Sequence, residues 1–252
     1  MDRVLIVAAA GRGSRLGAVV PKALVPVAGR PMLDHLVAMH RATVDRFLVV
    51  IAPDAESEFR AFASTCSAPI DLSLQPEPTG MLDAIWTAAP FVARHRPRRV
   101  VITWCDQIAV AQRTIMTLHR QTQAKDAADL VLPTITVDRP YIHFDRDVSG
   151  TVTRVRQRRE GDVMPERGEA DMGLFDLSTD AYVSELPVFM GEVTAAPTTG
   201  ERNFLPFIPW LASRRRVETF AGAAPMEATG INTPEDLVAV ERFLATLQAG
   251  PR

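Results

Sequence analysis

The stretch "VLIVAAAGRGSRLGAVVPKALVPVAGRP", residues 4–31, decides the class of fold. A run of small apolar residues breaks into glycines and basic residues, and then meets Lys22 before it returns to Leu24 and Val25. Glycines directly after a buried strand let backbone N–H groups approach a phosphate, because no Cβ atom stands in the way. This order of residues predicts a buried strand followed by an anion-binding loop.

The spacing of the glycines separates this loop from two common phosphate-binding motifs. Gly11, Gly13 and Gly17 give G-x-G-x-x-x-G, whereas the dinucleotide fingerprint requires G-x-G-x-x-G. A P-loop lysine would follow the last glycine directly, and none does. Arg15 and Lys22 instead supply two positive groups that suit one polyphosphate. A plain strand-to-helix turn with solvated basic residues is the alternative interpretation.

Further along the chain, apolar β-branched runs alternate with stretches of helical spacing. The apolar runs are residues 4–9, 47–52, 100–104 and 130–136, and the helical stretches are 31–41, 56–64, 80–94 and 114–123. Continuously apolar strands are usually buried on both faces, and alternation with helices indicates parallel pairing. The pattern therefore predicts an α/β fold with a doubly wound, mainly parallel sheet.

The pattern changes at residue 138. Residues 138–199 are polar, rich in turn residues and partly alternating, which predicts a small antiparallel, lid-like insertion on the acceptor side of the fold. The segment "GINTPEDLVAVERFLATLQ" (230–248) predicts a closing helix. Because repeats, low-complexity segments and linkers are absent from the sequence, residues 1–252 are predicted to form a single domain.

Composition argues against several classes of protein. With 28 Lys and Arg against 30 Asp and Glu, the net charge of -2 gives no reason to expect nucleic acid as a partner. Two cysteines are too few for a disulfide framework, which favours a reducing cytoplasm. Every apolar run is too short for a signal peptide or a membrane span, so no membrane partner is expected. The sequence is compatible with a homo-oligomer.

The opening loop resembles a known signature. The letters "AAAGRGSRLG…PKAL" are similar to L-A-A-G-x-G-T-R-[ML]…P-K-x-L of the nucleotidyltransferases that join NTPs to sugar 1-phosphates, with Ala8 for the leucine and Ser14 for the threonine. The resemblance implies a GT-A-like nucleotidyltransferase fold. It also implies that a loop wraps the triphosphate. The implied nucleotide-binding residues of this loop are Ala9, Ala10, Gly11, Gly13 and Ser14.

The resemblance implies catalytic roles for two basic residues. Arg15 would bind the β- and γ-phosphates of the NTP. Lys22 is placed against the α-phosphate and the incoming phosphate of the acceptor.

The segment "LQPEPTGMLDAI" (74–85) resembles the part of the same family that binds the base. The Gln75 amide offers a donor and an acceptor that suit a uracil, thymine or cytosine edge, so a pyrimidine nucleotide is favoured. Gly80 would let the backbone approach the base or ribose, and Met81 stands where threonine is usual. A loop leading into a helix is the alternative interpretation.

Two oxygen-bearing residues are predicted to hold Mg²⁺. Asp106 ends the apolar run "VVITWCDQ" (100–107), where the carboxyl ends of parallel strands bind ligands. Asn232 lies in a G-x-N motif that resembles uridylyltransferase members of the family, in which the asparagine is the second ligand. Asp106 as a turn cap and Asn232 as a turn residue are the alternatives.

The middle of the chain departs from its nearest model, the uridylyltransferase domain of bacterial N-acetylglucosamine-1-phosphate uridylyltransferase. Three positions that would bind the acceptor differ: Ile142 replaces a glycine, Gln157 a glutamate and Asp171 an asparagine. The acceptor is therefore predicted to differ from N-acetylglucosamine 1-phosphate. Alternating arginines within residues 154–158 form either a solvated strand face or a second anion-binding surface.

The sequence thus predicts a Mg²⁺-dependent nucleotidyltransferase, whose partners are an NTP and a small phosphorylated acceptor, foremost a sugar 1-phosphate. One alternative is a cytidylyltransferase that acts on a phospho-alcohol or phosphonate. A second is a catalytically silent nucleotide-binding regulatory module, which Met81 and Cys105 favour. Lys22 and Asp106 argue against the silent module, because such a module would not need them.

Overall fold

Strand β1 (Arg3–Ala8) lies at the centre of the sheet, and all six of its residues are buried. The structure is a computed structural model and describes residues 1–11, 13 and 16–249. Val4 and Ile6 pack into the core on one face of the sheet, while Leu5 and Val7 pack into the core on the other. Burial on both faces explains why the strand is apolar at every position.

The remaining strands of the described chain follow in sequence order. They are β2 (Pro26–Val27), β3 (Arg30–Pro31), β4 (Arg46–Ile51), β5 (Ile70–Leu74), β6 (Arg99–Trp104), β7 (Leu130–Asp138), β8 (Ile142–Arg146), β9 (Val152–Gln157), β10 (Arg167–Asp171), β11 (Leu174–Ser178) and β12 (Val217–Ala221). Seven of these strands and β1 form the central sheet, in the order β10-β7-β11-β6-β1-β4-β5 with β12 paired to β7. Only β10 and β11 pair antiparallel within it.

Helices cover both faces of the sheet. They are α1 (Met32–His40), α2 (Glu56–Thr65), α3 (Met81–Thr87), α4 (Ala89–His95), α5 (Gln112–Gln121), α6 (Thr179–Ser184), α7 (Leu186–Glu192), α8 (Phe207–Ala212) and α9 (Pro234–Ala249). Helices α3, α4, α6, α7 and α8 pack on one face, and α1, α2, α5 and α9 pack on the other. The predicted fold class, a largely parallel α/β sheet with a small antiparallel part, is confirmed.

The helical stretch predicted over residues 80–94 is two helices rather than one. Helix α3 ends at Thr87, and α4 begins at Ala89 with Pro90 in its first turn. Proline has no N–H to continue the preceding hydrogen-bond ladder, so it suits a helix start and breaks a helix interior. The proline therefore accounts for the division.

The interval 138–199 contains two kinds of structure. Strands β8 and β9 form a separate antiparallel hairpin, and its role as a lid stays a prediction. Strands β10 and β11 belong instead to the central sheet, and β11 lies between β6 and β7. Among the described residues, no helix combines the length and apolarity that crossing a membrane would take.

Candidate active site

The candidate site lies beyond the carboxyl ends of the parallel strands, where α/β sheets usually bind ligands. Strands β1 and β6 are neighbours and end together, since Ala8 pairs with Trp104. The N–H group of Cys105 then donates to the Ala8 carbonyl at 3.3 Å. The glycine loop after β1 and Asp106 after β6 therefore start from adjacent points.

Three predicted residues from distant parts of the chain meet here. The Lys22 ammonium donates to Asp106 Oδ2 at 2.5 Å and to Asn232 Oδ1 at 2.9 Å. The Lys22 and Asp106 side chains are only 12% and 11% exposed. One cation thus faces a carboxylate and an amide oxygen in a cluster that is largely shielded from water.

The glycine loop and the lysine are packed against each other. Gly13 has a φ of +61°, and a Cβ atom there would lie 2.8 Å from the Lys22 Cβ. Pro21 precedes a 3-10 turn over Lys22–Leu24, which fixes the backbone of the lysine. Gly13 therefore makes room for the base of the Lys22 side chain, a reason for glycine that is separate from phosphate binding.

Hydrogen bonds around Asn232 set its orientation. The Ile231 N–H donates to the Asp106 carbonyl at 3.2 Å, which joins the two segments. The Asn232 side-chain Nδ2 donates to the Gly230 carbonyl at 3.2 Å. The amide nitrogen therefore points back to its own loop, and the amide oxygen points to Lys22.

Thr233 and Asp236 cap the start of α9. The Asp236 carboxylate accepts from the Asn232 N–H at 3.0 Å and from the Thr233 N–H at 2.8 Å. The Thr233 hydroxyl accepts from the Asp236 N–H at 3.2 Å, which completes a capping box. This reciprocal pair of bonds accounts for the position at which the helix begins.

A buried glutamate that the sequence analysis missed anchors the loop before Asn232. The Glu227 carboxylate is fully buried and accepts from Ala111 N–H at 3.0 Å and Thr114 Oγ1 at 2.6 Å. It also accepts from the N–H groups of Ala223 and Ala224 at 2.9 and 2.7 Å. Four donors satisfy the charge without a cation. The sequence offered one signal for this structure: the proline two residues before Glu227 is typical of the start of a helix.

The two predicted metal ligands fit Mg²⁺. Asp106 and Asn232 present oxygen atoms to one point, and Mg²⁺ prefers oxygen ligands. Within the described residues, no group of three or more His, Cys, Asp and Glu side chains is placed to hold a metal. A cation bound here would therefore take its other ligands from phosphates and water.

Burial alters two further ionisable groups near Asp106. The pKa of Asp171 is raised to about 6, mainly by burial and to a smaller extent by the Asp106 charge, against the effect of a hydrogen bond from the Gly173 N–H at 2.8 Å. Burial also raises the pKa of the Cys105 thiol to about 12. Cys105 is therefore a protonated packing residue rather than a nucleophile.

The residues predicted to bind the nucleotide lie in two separate segments of the chain. The Ala9 N–H donates to the Val50 carbonyl at 2.8 Å, while Ala10 is half-buried and Gly11 is exposed. Ser14 and Arg15 lie outside the described residues. The described part of the first segment is therefore the end of β1 and the residues directly after it, of which Gly11 is exposed.

Gln75 and Gly80 lie in the second segment. The Gln75 amide Nε2 donates to the Gly80 carbonyl at 3.2 Å across its own loop. Gly80 has a φ of +125°, and a Cβ atom there would lie 2.4 Å from the Arg202 carbonyl oxygen. Glycine is therefore required at position 80 by the neighbouring chain segment, whatever the loop binds.

Of the residues predicted to bind the acceptor, Ile142 and Gln157 are cross-strand partners in the β8–β9 hairpin. Asn203, which the sequence analysis missed, accepts from the Leu205 N–H at 3.0 Å. Its amide nitrogen then donates to Gln157 Oε1. Because the Leu205 N–H can only donate, this chain of bonds fixes which end of the Gln157 amide is the oxygen.

The alternating arginines form a solvated strand face. Arg154 pairs with Asp162 at 2.6 Å, and Arg156 pairs with Asp145 at 2.8 Å. Along β9 these arginines alternate with buried residues, so they point away from the face that carries Gln157. The interpretation as a second anion-binding surface lacks support from their orientation.

Residues 5–170 match the model of the MobA-like NTP transferase domain. The chain is 28% identical over 246 residues to the Bifunctional protein GlmU of Burkholderia multivorans, and 27% identical over 246 residues to that of Burkholderia vietnamiensis. Each alignment covers 95% of this chain but 51% of the relative, so the chain spans about half the length of the curated relatives it matches.

A solved structure has the same fold. It is a Bacillus anthracis protein assigned as a glucose-1-phosphate thymidylyltransferase, determined in complex with a sucrose. The TM-score is 0.76 at 17% sequence identity, and the superposition covers 100% of this chain and 97% of the other. This likeness extends the agreement in fold beyond residue 170.

Proposed function

The chain belongs to the MobA-like NTP transferase domain family, and from this premise we propose that it transfers a nucleoside monophosphate from an NTP to a phosphorylated acceptor. Pyrophosphate is the second product. The observation that carries the proposal is the meeting of Lys22, Asp106 and Asn232 at one point beyond the strand ends. A lysine, a carboxylate and an amide oxygen are the groups that phosphoryl chemistry needs to offset negative charge.

The reaction is a single displacement at phosphorus. An oxygen of the acceptor phosphate attacks the α-phosphorus of the NTP and forms the new P–O bond. The bond from the α-phosphorus to the bridging oxygen breaks, and its electron pair leaves with pyrophosphate. No covalent intermediate with the protein is needed, because phosphate is itself a nucleophile. The protein then contributes positioning and charge neutralisation.

Each residue of the cluster has a role in this scheme. The Lys22 ammonium offsets the charge that develops on the α-phosphate, and Arg15 would bind the β- and γ-phosphates. Asp106 and Asn232 would hold Mg²⁺. When bound, that ion supplies charge neutralisation and orients the phosphate oxygens. The capping box and the anchored Glu227 keep Asn232 in place before any substrate binds.

A sugar 1-phosphate is the proposed acceptor, and a pyrimidine NTP is the proposed donor. The Bacillus anthracis protein of the same fold is assigned a sugar 1-phosphate as its substrate, which supports this class of acceptor. Gln157 is a neutral amide whose oxygen is already bonded to Asn203, so the amide nitrogen is the end left to donate. A donor in place of a carboxylate supports an acceptor other than N-acetylglucosamine 1-phosphate.

The test is pyrophosphate release with Mg²⁺ and each common NTP against a panel of sugar 1-phosphates and phospho-alcohols. We expect turnover with a pyrimidine NTP and a sugar 1-phosphate. Asp106→Ala should abolish it or shift the Mg²⁺ requirement to much higher concentration, whereas Arg154→Ala, in an exposed ion pair, serves as the matched control and should leave it unchanged.

Two other outcomes would replace the proposal. Selective turnover of a phospho-alcohol with CTP would indicate a cytidylyltransferase. Nucleotide binding without pyrophosphate release from any acceptor would indicate a silent regulatory module.

A further inference from the structure

The Lys22 ammonium lies between the two oxygens that are proposed to hold a metal. Its nitrogen is 2.5 Å from Asp106 Oδ2 and 2.9 Å from Asn232 Oδ1. We propose that Lys22 is an internal cation that occupies the metal position of the nucleotide-free protein, so that a divalent ion binds weakly until Lys22 moves away. This inference rests on the proposed function only for the identity of the two metal ligands.

Charge balance explains why a cation belongs at this point. The Asp106 side chain is 11% exposed, and a carboxylate that is removed from water needs a partner. Lys22 supplies this partner from within the chain.

The same two oxygens cannot serve both cations at once. An ammonium nitrogen at hydrogen-bond distance from both atoms fills the space between them, and a divalent ion there would meet a like charge at contact distance. The two cations therefore compete. Removing the ammonium should leave a carboxylate and an amide oxygen that are already oriented toward a common point.

The environment of Lys22 would allow its ammonium to leave these two oxygens. Its backbone is fixed by Pro21 and the 3-10 turn, and its Cβ is packed against Gly13. The flexible part of the side chain lies beyond that contact, and a lysine ammonium is a compact point charge that can change partners. A polyphosphate would offer it several charged oxygens in place of one. Movement of the chain end alone would open the metal position.

The first test measures Mn²⁺ binding to the full chain without nucleotide, by the paramagnetic resonance signal of free Mn²⁺. We expect Lys22→Met to bind Mn²⁺ at least tenfold more tightly than the unmodified protein. Adding Asp106→Asn to Lys22→Met should abolish the gain. Arg154→Met removes one positive charge from an exposed ion pair, so it controls for net charge and should leave the affinity unchanged.

The second test measures thermal unfolding. Lys22→Met should melt a few degrees lower than the unmodified protein, because Asp106 loses its partner, and Mn²⁺ should restore the melting temperature through preferential binding to the folded state. The unmodified protein should show no such response at the same Mn²⁺ concentration. If methionine prevents folding, Lys22→Gln keeps a hydrogen bond to Asp106 without the charge and takes its place.

Equal or tighter Mn²⁺ binding by the unmodified protein would overturn the inference, and so would a folded Lys22 variant that gains no Mn²⁺ affinity. Neither measurement uses an acceptor or turnover. A failure of the proposed reaction would therefore appear in the pyrophosphate assay alone, and a failure of the internal-cation inference would appear in metal binding alone.

Discussion

Two buried clusters of cations and a carboxylate lie at opposite ends of the same strands. At the amino ends of β1 and β6, the Asp176 carboxylate is fully buried and accepts from Arg3, from Arg99 Nε at 2.6 Å and from Thr122 Oγ1 at 2.7 Å. At the carboxyl ends, Asp106 faces the single ammonium of Lys22. Both clusters neutralise a carboxylate in the interior, yet they are built differently.

The difference lies in how many bonds each cation makes. Arg99 also donates to the Ala128 carbonyl at 2.9 Å and to the Asp176 carbonyl at 2.7 Å, so its guanidinium is held at several points. The Lys22 ammonium makes two bonds and is 12% exposed. A guanidinium fork with several partners suits a permanent connection, while an ammonium suits an exchangeable one. One cluster therefore holds the sheet together, and the other is available for chemistry.

The largest expected effect comes from breaking the permanent cluster. Asp176→Ala leaves two buried guanidinium groups without their carboxylate and should lower the free energy of unfolding by about 3–5 kcal/mol. Urea denaturation measures the change. Asp106→Ala is the matched variant and should cost much less, because Lys22 can turn toward water. Equal losses of unfolding free energy in the two variants would show that both clusters stabilise the fold to the same extent.

Breaking the exchangeable cluster should affect turnover instead. Lys22→Ala should lower kcat by about a hundredfold or more, the scale for removal of one preorganised charge. Its free energy of unfolding should fall by less than in Asp176→Ala, because Lys22 makes two side-chain hydrogen bonds, whereas Asp176 holds two buried guanidinium groups. Initial rates of pyrophosphate release and urea denaturation provide the two readouts. A variant with near-normal turnover would remove Lys22 from the reaction.

The smallest expected effect concerns the ionisation of Asp171, a buried carboxyl group that, within the described part of the chain, is not paired with a cation as Asp106 and Asp176 are. Asp171 has a folded-state pKa of about 6 against an ordinary 3.8, so the folded protein retains a proton that the unfolded chain releases between these values. The contribution of Asp171 to the free energy of unfolding is therefore fully present below pH 4 and is lost as the pH rises through 6. Asp171→Asn should therefore raise the free energy of unfolding by about 3 kcal/mol at pH 8 and by almost nothing at pH 4.

Urea denaturation at both pH values checks this expectation. The Gly173 N–H can donate to an asparagine oxygen as well, so the substitution keeps the local hydrogen bond. An equal gain at pH 4 and pH 8 would mean that packing, rather than ionisation, caused the change.

Much of the fold follows from the sequence because its central strands are buried on both faces. β1, β4, β6 and β7 were predicted as continuous apolar runs, and the predicted fold class is confirmed. β5 and β12 were missed, since their partly exposed residues mix polar and apolar types. The position of β11 between β6 and β7 could not be predicted, because strand order depends on long-range packing.

The site shows the same division. Lys22, Asp106 and Asn232 stand in motifs, so the sequence indicated them, although their catalytic and metal-binding roles stay predictions. Their mutual hydrogen bonds were not predicted. Asn203 and Glu227 act through tertiary contacts, and neither residue stands in a motif with a fixed spacing from the groups it supports. The family resemblance is confirmed, but it could not reveal these supporting residues.

The place of β11 has a consequence for the order in which the sheet is completed during synthesis. Strand β11 (Leu174–Ser178) lies between β6 and β7. These two strands therefore cannot join one sheet until β11 has emerged from the ribosome. The strands β1, β4, β5 and β6 are all available earlier and pair with one another. A nascent chain that lacks 174–178 therefore carries a half-sheet whose β6 edge is exposed, and closure of that edge is a late, non-local step.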